Sequence, residues 1–253
     1  MIDRPEEYEK MDLAEKELWW YKILHEQTYA AIQKKHQKKD LAILDAGCGT
    51  GGLICYLQSK GFTHVKGFDI SVDAVDRSRR KTAGDIEQLS IQEASGYYSA
   101  CSFDVVICND ALYFISDKEF PKALNSLLNL LKKDGQLIIN LPAGNWYRGM
   151  HDRTVGIQER WSLSKFKQML NVSGATYDHY ESWNWPFLLS PFIGITRFIQ
   201  RLKLRLFPSD EMASDVTLPP LALNHIFYKL TKWENQLPFK RKTGSSIFII
   251  IHR

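Results

Sequence analysis

The chain has 253 residues, 44% of them hydrophobic and 25% charged, a balance that allows a sizeable core and excludes a disordered polymer. Its formal charge of +4 is spread over separate basic clusters at residues 34–39, 77–81, 197–205 and 240–242, each read as a solvated face, so no nucleic-acid partner is expected. Cys48, Cys55, Cys101 and Cys108 have neither C-x-x-C spacing nor a His cluster, which argues against a metal site and a disulfide scaffold; the charged first 16 residues carry no signal-peptide pattern, and a cytoplasmic location is expected.

Residues 12–37 have helical character, with Leu13, Leu18, Trp20, Tyr21, Leu24, Tyr29 and Ile32 at roughly helical spacing and a basic end that suits the helix dipole. Adjacent helical residues point about 100° apart, so Leu18-Trp19-Trp20-Tyr21 holds more aromatic surface than one buried face uses. The run either covers a ligand or anchors the helix.

The stretch Ile43-Leu44-Asp45-Ala46-Gly47-Cys48-Gly49-Thr50-Gly51-Gly52-Leu53 reads as strand, tight turn and helix. Its four glycines suit a ligand lying on the main chain, because glycine accepts positive φ and puts no Cβ in the way. Gly47-x-Gly49-x-x-Gly52 formally matches the dinucleotide fingerprint, in which helix amides face a pyrophosphate. Asp45 argues against that ligand, since a carboxylate at the strand's end repels pyrophosphate and attracts an ammonium or sulfonium group.

The residues from Asp45 to Gly51 resemble the first motif of class I S-adenosylmethionine (SAM)-dependent methyltransferases. The resemblance implies an α/β fold: a Rossmann-like, seven-stranded, mainly parallel sheet with helices on both faces. It also implies SAM as cofactor, with Asp45, Gly47, Cys48, Gly49, Thr50 and Gly51 around its methionine part. A non-catalytic SAM-binding protein would use the same loop, and an NAD-type oxidoreductase is the weaker alternative.

Residues 64–70 read as the second strand and 71–81 as a helix. Asp69 ends that strand where an acid receives ribose hydroxyls in doubly wound sheets, about twenty residues after the glycine loop, with Ile70 beside it. Residues 89–94 read as a third strand, and the resemblance implies adenine contacts near its end from Gln92 or Glu93. Residues 102–110 read as a buried central strand. Open parallel sheets bind ligands at the carboxyl ends of their strands, which puts Asn109, Asp110, Leu112, Tyr113 and Phe114 on the active face. Asn109 is the candidate cofactor wall; Tyr113 either lines the acceptor pocket or packs the next helix.

A helix over 118–132 and a strand over 136–141 lead into an irregular connection, residues 142–161. Loops of this length are usually functional or disordered. Within it, Pro142-Ala143, His151-Asp152 and Arg160-Trp161 resemble landmarks of a bacterial, type 11/12-like methyltransferase subgroup. His151 is the candidate general base, its ordinary pKa being suited to neutral pH. Trp146, Asp152 and Arg160 are the candidate acceptor contacts of this loop.

Residues 164–170 read as a helix and 175–183 as a strand. Residues 185–207 are apolar with Arg197, Arg201, Lys203 and Arg205 interspersed; the uncharged part, residues 182–196, is about fifteen residues with two prolines, too short and too broken for a membrane span. Such a helix packs on the core or a second subunit, caps a greasy pocket or lies on a membrane surface. A helix ending near residue 234 and an antiparallel strand over 246–251 complete the pattern, and the ending as a whole, from residue 215, resembles that subgroup's.

The implied organisation is an N-terminal helical lid, residues 1–39, carrying Tyr21 toward the cofactor and Trp20 toward the acceptor. A SAM-binding domain follows over 40–253, with 142–161 and 185–235 as acceptor-pocket insertions, the second helical. The expected reaction is methyl transfer to an O or N atom, less readily C, of a small, lipophilic acceptor, with no metal.

Overall fold

The structure is a computed structural model that describes residues 5–157, 159–206, 218–237 and 241–253. Its elements run α1 (Pro5–Glu17), α2 (Trp19–Lys35), β1 (Ile43–Ala46), α3 (Gly52–Ser59), β2 (Val65–Asp69), α4 (Val72–Lys81), β3 (Ile86–Gln88), α5 (Ala94–Tyr97) and β4 (Phe103–Asn109). Then follow α6 (Phe120–Asn129), β5 (Leu131–Pro142), α7 (Met150–Thr154), α8 (Leu163–Val172), β6 (His179–Trp185), α9 (Ser190–Leu206), α10 (Leu221–Glu234) and β7 (Ser246–His252).

The strands form one seven-stranded sheet in the order β3-β2-β1-β4-β5-β7-β6. All pairs are parallel except those of β7, which is antiparallel to both β5 and β6. This is the expected Rossmann-like architecture. Side chains alternate across a strand, and β7 shows the consequence: Ile247, Ile249 and Ile251 join the apolar layer of Phe120, Leu124, Phe166 and Leu170, whereas Phe248 and Ile250 join that of Ile23, Ile32, Ile54 and Leu57. Each fully buried aliphatic is worth about 1.5–3 kcal/mol, and a one-residue slip would send every one to the wrong face. Helices therefore cover both faces, α6 and α8 on one, α2 and α3 on the other.

Several elements differ from their sequence-based bounds, β5 among them, which starts five residues before the expected 136. The helix expected over 12–37 is two helices, broken at Leu18, whose backbone is extended at φ −68° and ψ 127°. Helix ends leave backbone groups unpaired, and Asn224 of α10 takes up two of them: its Oδ1 accepts from the Trp19 N–H at 2.9 Å and its Nδ2 donates to the Glu17 carbonyl at 2.7 Å. The third strand lies earlier than 89–94, because β3 pairs with β2 only from Gly67 to Asp69, where β2 itself ends. The strand expected over 175–183 starts at His179 and runs to Trp185, in register with the full length of β7. The helix expected over 118–132 is shorter, α6, since the chain from Leu131 already belongs to β5.

The connection at 142–161 is pinned at both ends: the Trp161 N–H donates to the Pro142 carbonyl at 2.7 Å and the Gly144 N–H to the Trp161 carbonyl at 3.1 Å. No described helix is long and apolar enough to cross a membrane. Residues 207–217 of the expected helical insertion, 238–240 and Gln158 lie outside the described residues, so the sequence landmarks there are not placed.

Candidate functional site

Strand order reverses between β1 and β4. Their carboxyl ends diverge there into the crevice where open α/β sheets bind ligands. A cavity of about 500 Å³ occupies it, lined by the ends of β1, β2 and β4 and closed by Met11 and Glu15 of α1 and Trp20, Tyr21 and His25 of α2. Gly47 at φ +77° and Gly49 at φ +53° face this space, and a Cβ on Gly47 would run into Ala111. The amides of Gly47 and Cys48 both donate to the Phe68 carbonyl, at 2.8 and 2.9 Å, so β2 fixes the first turn of the loop.

Asp69 continues that work. Its Oδ2 accepts from the Gly49 N–H and its Oδ1 from the Ser71 N–H, both at 2.9 Å, tying the loop to the start of α4. Burial holds its carboxyl above the usual carboxylate range despite those two bonds. Asp45 is only 3% exposed, and among the described residues its carboxylate accepts no hydrogen bond. Burial first, then the nearby Glu15 and Asp69, pushes its pKa up to about 8. Glu15 is buried too, but it accepts from Thr50 Oγ1 at 2.6 Å and pairs with Lys81 Nζ at 3.1 Å. Among the described residues Asp45 is left without such a partner, and an ammonium placed there would replace a proton.

Asp110, directly after β4, also lines the cavity. It is held at φ +54°, a region that non-glycine residues enter rarely and that clusters at functional sites. Asn140 Nδ2 donates to Asp110 Oδ2 at 2.9 Å, while Asn140 Oδ1 accepts from Trp185 Nε1 at 2.9 Å. Burial outweighs the Asn140 bond and the Arg160 charge and raises the Asp110 pKa to about 7. Trp20 stacks on Trp185, ring centroids 5.4 Å apart, and Tyr21 and Tyr113 complete an aromatic wall. Asn109 donates to Thr28 Oγ1 at 3.2 Å and leaves its own Oδ1 buried without a partner.

Arg160 lines the same region and is 8% exposed. Its Nε and Nη2 donate to the two oxygens of Asp152, each at 2.9 Å, and its Nη1 to the carbonyls of Ala143 and Ser245 at 3.2 and 2.9 Å. Asp152 also accepts from the Gly149 N–H at 2.9 Å. It is fully committed behind Arg160.

Of the residues expected from sequence, Asp45, Gly47, Cys48, Gly49, Asp69, Ile70, Gln92, Asn109, Tyr21, Trp20, Tyr113 and Arg160 line this cavity. Five do not. Thr50 is fully buried against Glu15, and Gly51 faces Ser78 and Thr82 of the α4 side because the loop turns inward after Gly49. Glu93 folds back on its own turn, accepting from the amide and hydroxyl of Ser90 at 3.2 and 2.5 Å. Asp152 serves Arg160, and Trp146 sits outside, 62% exposed, beside Phe198 of α9. His151 falls in α7, and its side chain lies outside the described residues.

Glu15, His25 and Asn140 also build the site without having been singled out. Glu15 lies 30 residues before Asp45 with no local motif around it, so only the packing of α1 brings it there. Burial lowers the His25 pKa to about 4, which leaves a neutral imidazole in the wall at pH 7. Asp110 carried one signal, its place after a central strand. Among the described residues one grouping has metal-ligand types, His179, Glu181 and His252, and it does not touch the cavity. Lys34 Nζ lies 2.9 Å from Glu181 and Lys35 Nζ 3.4 Å from His252 Nδ1, so ammonium groups already stand where a cation would go.

A glycine loop between acids that end β1 and β2, opening on the switch point of a seven-stranded sheet with an antiparallel β7, defines the class I SAM-dependent methyltransferase fold. Residues 37–183 match the family model described as a methyltransferase domain, and the chain belongs to that family. Phosphoethanolamine N-methyltransferase 1 of Arabidopsis thaliana is 30% identical over 118 residues, which is 46% of this chain and 24% of that protein. A relative from Geobacillus sp. (strain WCH70) is 30% identical over 138 residues, 49% of this chain and 54% of its own length. The match thus spans about half or less of these curated relatives. Among solved structures, the plantazolicin methyltransferase BpumL in complex with S-adenosylhomocysteine (SAH) superposes with a TM-score of 0.62 at 15% identity, covering 99% of this chain and 91% of that one. A SAM dependent methyltransferase from Archaeoglobus fulgidus gives 0.55 at 14% identity, covering 90% and 94%. These two likenesses are of fold.

SAM is the cofactor of this class, and the residues present fit it. A buried carboxylate without a partner answers an amino group, and an acid beside a glycine loop answers ribose hydroxyls.

Proposed function

We propose that the protein transfers the SAM methyl group to an O or N atom, and less readily a C atom, of a small, lipophilic acceptor. The observation that carries this reading is one cavity lined both by a carboxyl with no partner among the described residues, Asp45, and by a second raised carboxyl, Asp110, beside an aromatic wall. Asp45 would hold the amino group, the Gly47–Gly49 main chain the methionine part, Asp69 the ribose and Gln92 the adenine region. When bound, SAM supplies an electrophilic methyl on a sulfonium.

The chain's own contribution is placement and proton handling. Trp20, Tyr21 and Tyr113 exclude water and hold an apolar acceptor, and orientation of this kind supplies much of the rate in a dry site. Asp110 accepts the acceptor's proton at Oδ1, the oxygen not used by Asn140, with a pKa matched to neutral pH. His151 remains the alternative base. Residues 1–39 act as the lid, since α1 and α2 close the cavity without belonging to the sheet. The phosphoethanolamine and plantazolicin methyltransferases among the similar proteins are named for two different acceptors; the aromatic wall of this chain favours an acceptor with an apolar part.

The test is transfer of label from methyl-labelled SAM into a fractionated cell extract, alongside thermal unfolding with SAH or NAD. Labelled product in the lipid-soluble fraction and stabilisation by SAH alone are expected, because a specific ligand stabilises the native state by mass action. Stabilisation by NAD and not SAH would overturn the reading.

A further inference from the structure

Helix α9 contributes Ile193 and Arg197 to the cavity wall. Its opposite side is apolar and open: Phe192, Ile195, Phe198, Ile199, Leu202 and Leu206 are each between 45% and 64% exposed. At about 100° per residue these six fall within about 120° of arc. The same geometry puts Arg201 and Arg205 along one border of the stripe and Lys203 along the other. Phe192 meets Phe227 of α10 with ring centroids 5.5 Å apart, and α10 exposes Leu223, Ile226, Leu230 and Trp233 at helical spacing. Scattered exposed aliphatics are ordinary, but contiguous stripes on two joined helices mark an interaction surface.

We propose that α9 and α10 dock the protein on an anionic lipid bilayer. Long basic side chains on both borders of an apolar stripe suit a helix lying in the headgroup plane, where stems follow the apolar boundary and charges reach the phosphates. Charge also selects the occupant. The α9 segment contains no acidic residue, and the one acid of α10, Glu234, is fully buried against the Phe187 and Leu188 amides. A second copy apposed through this face would bring cations against cations, whereas an anionic surface complements them. The consequence for the site rests on the methyl-transfer reading: because α9 both lies on the bilayer and walls the cavity, a lipophilic acceptor enters from the lipid past α9.

The docking is tested by co-sedimentation of the full chain with phosphatidylcholine vesicles prepared with and without phosphatidylglycerol. Binding to the phosphatidylglycerol vesicles is expected to weaken roughly tenfold or more in Ile195→Glu with Phe198→Glu, and to lose its anionic preference and salt sensitivity in Arg201→Gln with Lys203→Gln. Thermal stabilisation by SAH should stay as in the parent, since none of these residues lines the cavity. No sedimentation with either vesicle, or a dimer that Ile195→Glu converts to monomer while lipid partitioning is unchanged, would overturn the docking. With SAH stabilisation intact, that result leaves methyl transfer standing; vesicle binding without any response to SAH would instead uphold the docking and count against methyl transfer.

Discussion

Asn140 Nδ2 donates to Asp110 Oδ2 at 2.9 Å, from near the end of β5 to the residue that follows directly on the neighbouring parallel strand β4. Because Trp185 Nε1 in turn donates to Asn140 Oδ1 at 2.9 Å, the amide is fixed from both sides and can present only its N–H to the acid. Among the described residues the other Asp110 oxygen has no partner, and burial pushes the carboxyl's pKa up to about 7.

On the proposed reading, Asp110→Asn removes the base and keeps the shape. Turnover is expected to fall by about 10²–10⁴, the usual contribution of a positioned base, while SAH affinity changes little. In the parent enzyme turnover should climb with pH through about 7 as Asp110 ionises. Steady-state kinetics across pH check both, and a full-speed Asp110→Asn enzyme would reject the role. A large loss in His151→Ala instead, with SAM affinity unchanged, would move the base to His151.

Asp45 makes the apo protein sensitive to alkali. Its carboxyl is raised from 3.8 to about 8, so between those values the unfolded chain has released a proton that the native state still holds. Where the unfolded state binds fewer protons, stability falls as pH rises. Asp45→Asn should therefore melt close to the parent in acid and above it at about pH 9, with SAH binding largely lost. For the parent, SAH affinity should weaken as pH drops below about 8, by up to a decade per unit. A flat calorimetric affinity profile would count against Asp45 as the ammonium partner.

The Arg160–Asp152 pair is buried, with side-chain exposures of 7% and 0%. Removing one partner strands the other charge, and such losses run to about 3–5 kcal/mol. Asp152→Ala is expected to shift the urea midpoint accordingly. Arg160→Lys should also destabilise, since an ammonium cannot reproduce the two-pronged contact while reaching Ala143 and Ser245. Unfolding curves that overlay the parent would show the pair to be replaceable.

Gly52 sits under α1, where an added Cβ would come within 2.5 Å of the Glu15 carboxyl. Gly52→Ala should push α1 off the glycine loop and weaken SAH binding roughly tenfold, about 1.4 kcal/mol. Adding Glu15→Gly removes every clashing atom, the Glu15 Cβ at 2.9 Å included, so a double-mutant cycle by titration calorimetry should show strong coupling. Additive effects would mean that α1 and the loop act independently.

The fold was legible in the sequence because its signals are local and periodic. The unbroken apolar run from Ile247 to Ile251 places β7 between two layers, and the run from Ile43 to Gly52 announces strand, turn and helix. Asp45, Gly47, Gly49 and Asp69 follow from position along those strands, and all four line the cavity. Adjacency in sequence misled where the chain turns: Thr50 and Gly51 lie one and two residues past Gly49 yet face inward, and Asp152 stands behind Arg160.

The sequence by itself thus determined the class of fold and the glycine loop of the site, since Asp45 to Gly52 are contiguous and Asp69 ends the next strand. Only the tertiary structure decided the rest. Glu15 comes from a helix 30 residues before Asp45, Asn140 acts through a neighbouring strand, and Asn224 of α10 bridges the break at Leu18. These relations depend on desolvation and on partners distant in the chain. The raised pKa values of Asp45 and Asp110 arise from burial, which no spacing of residues encodes.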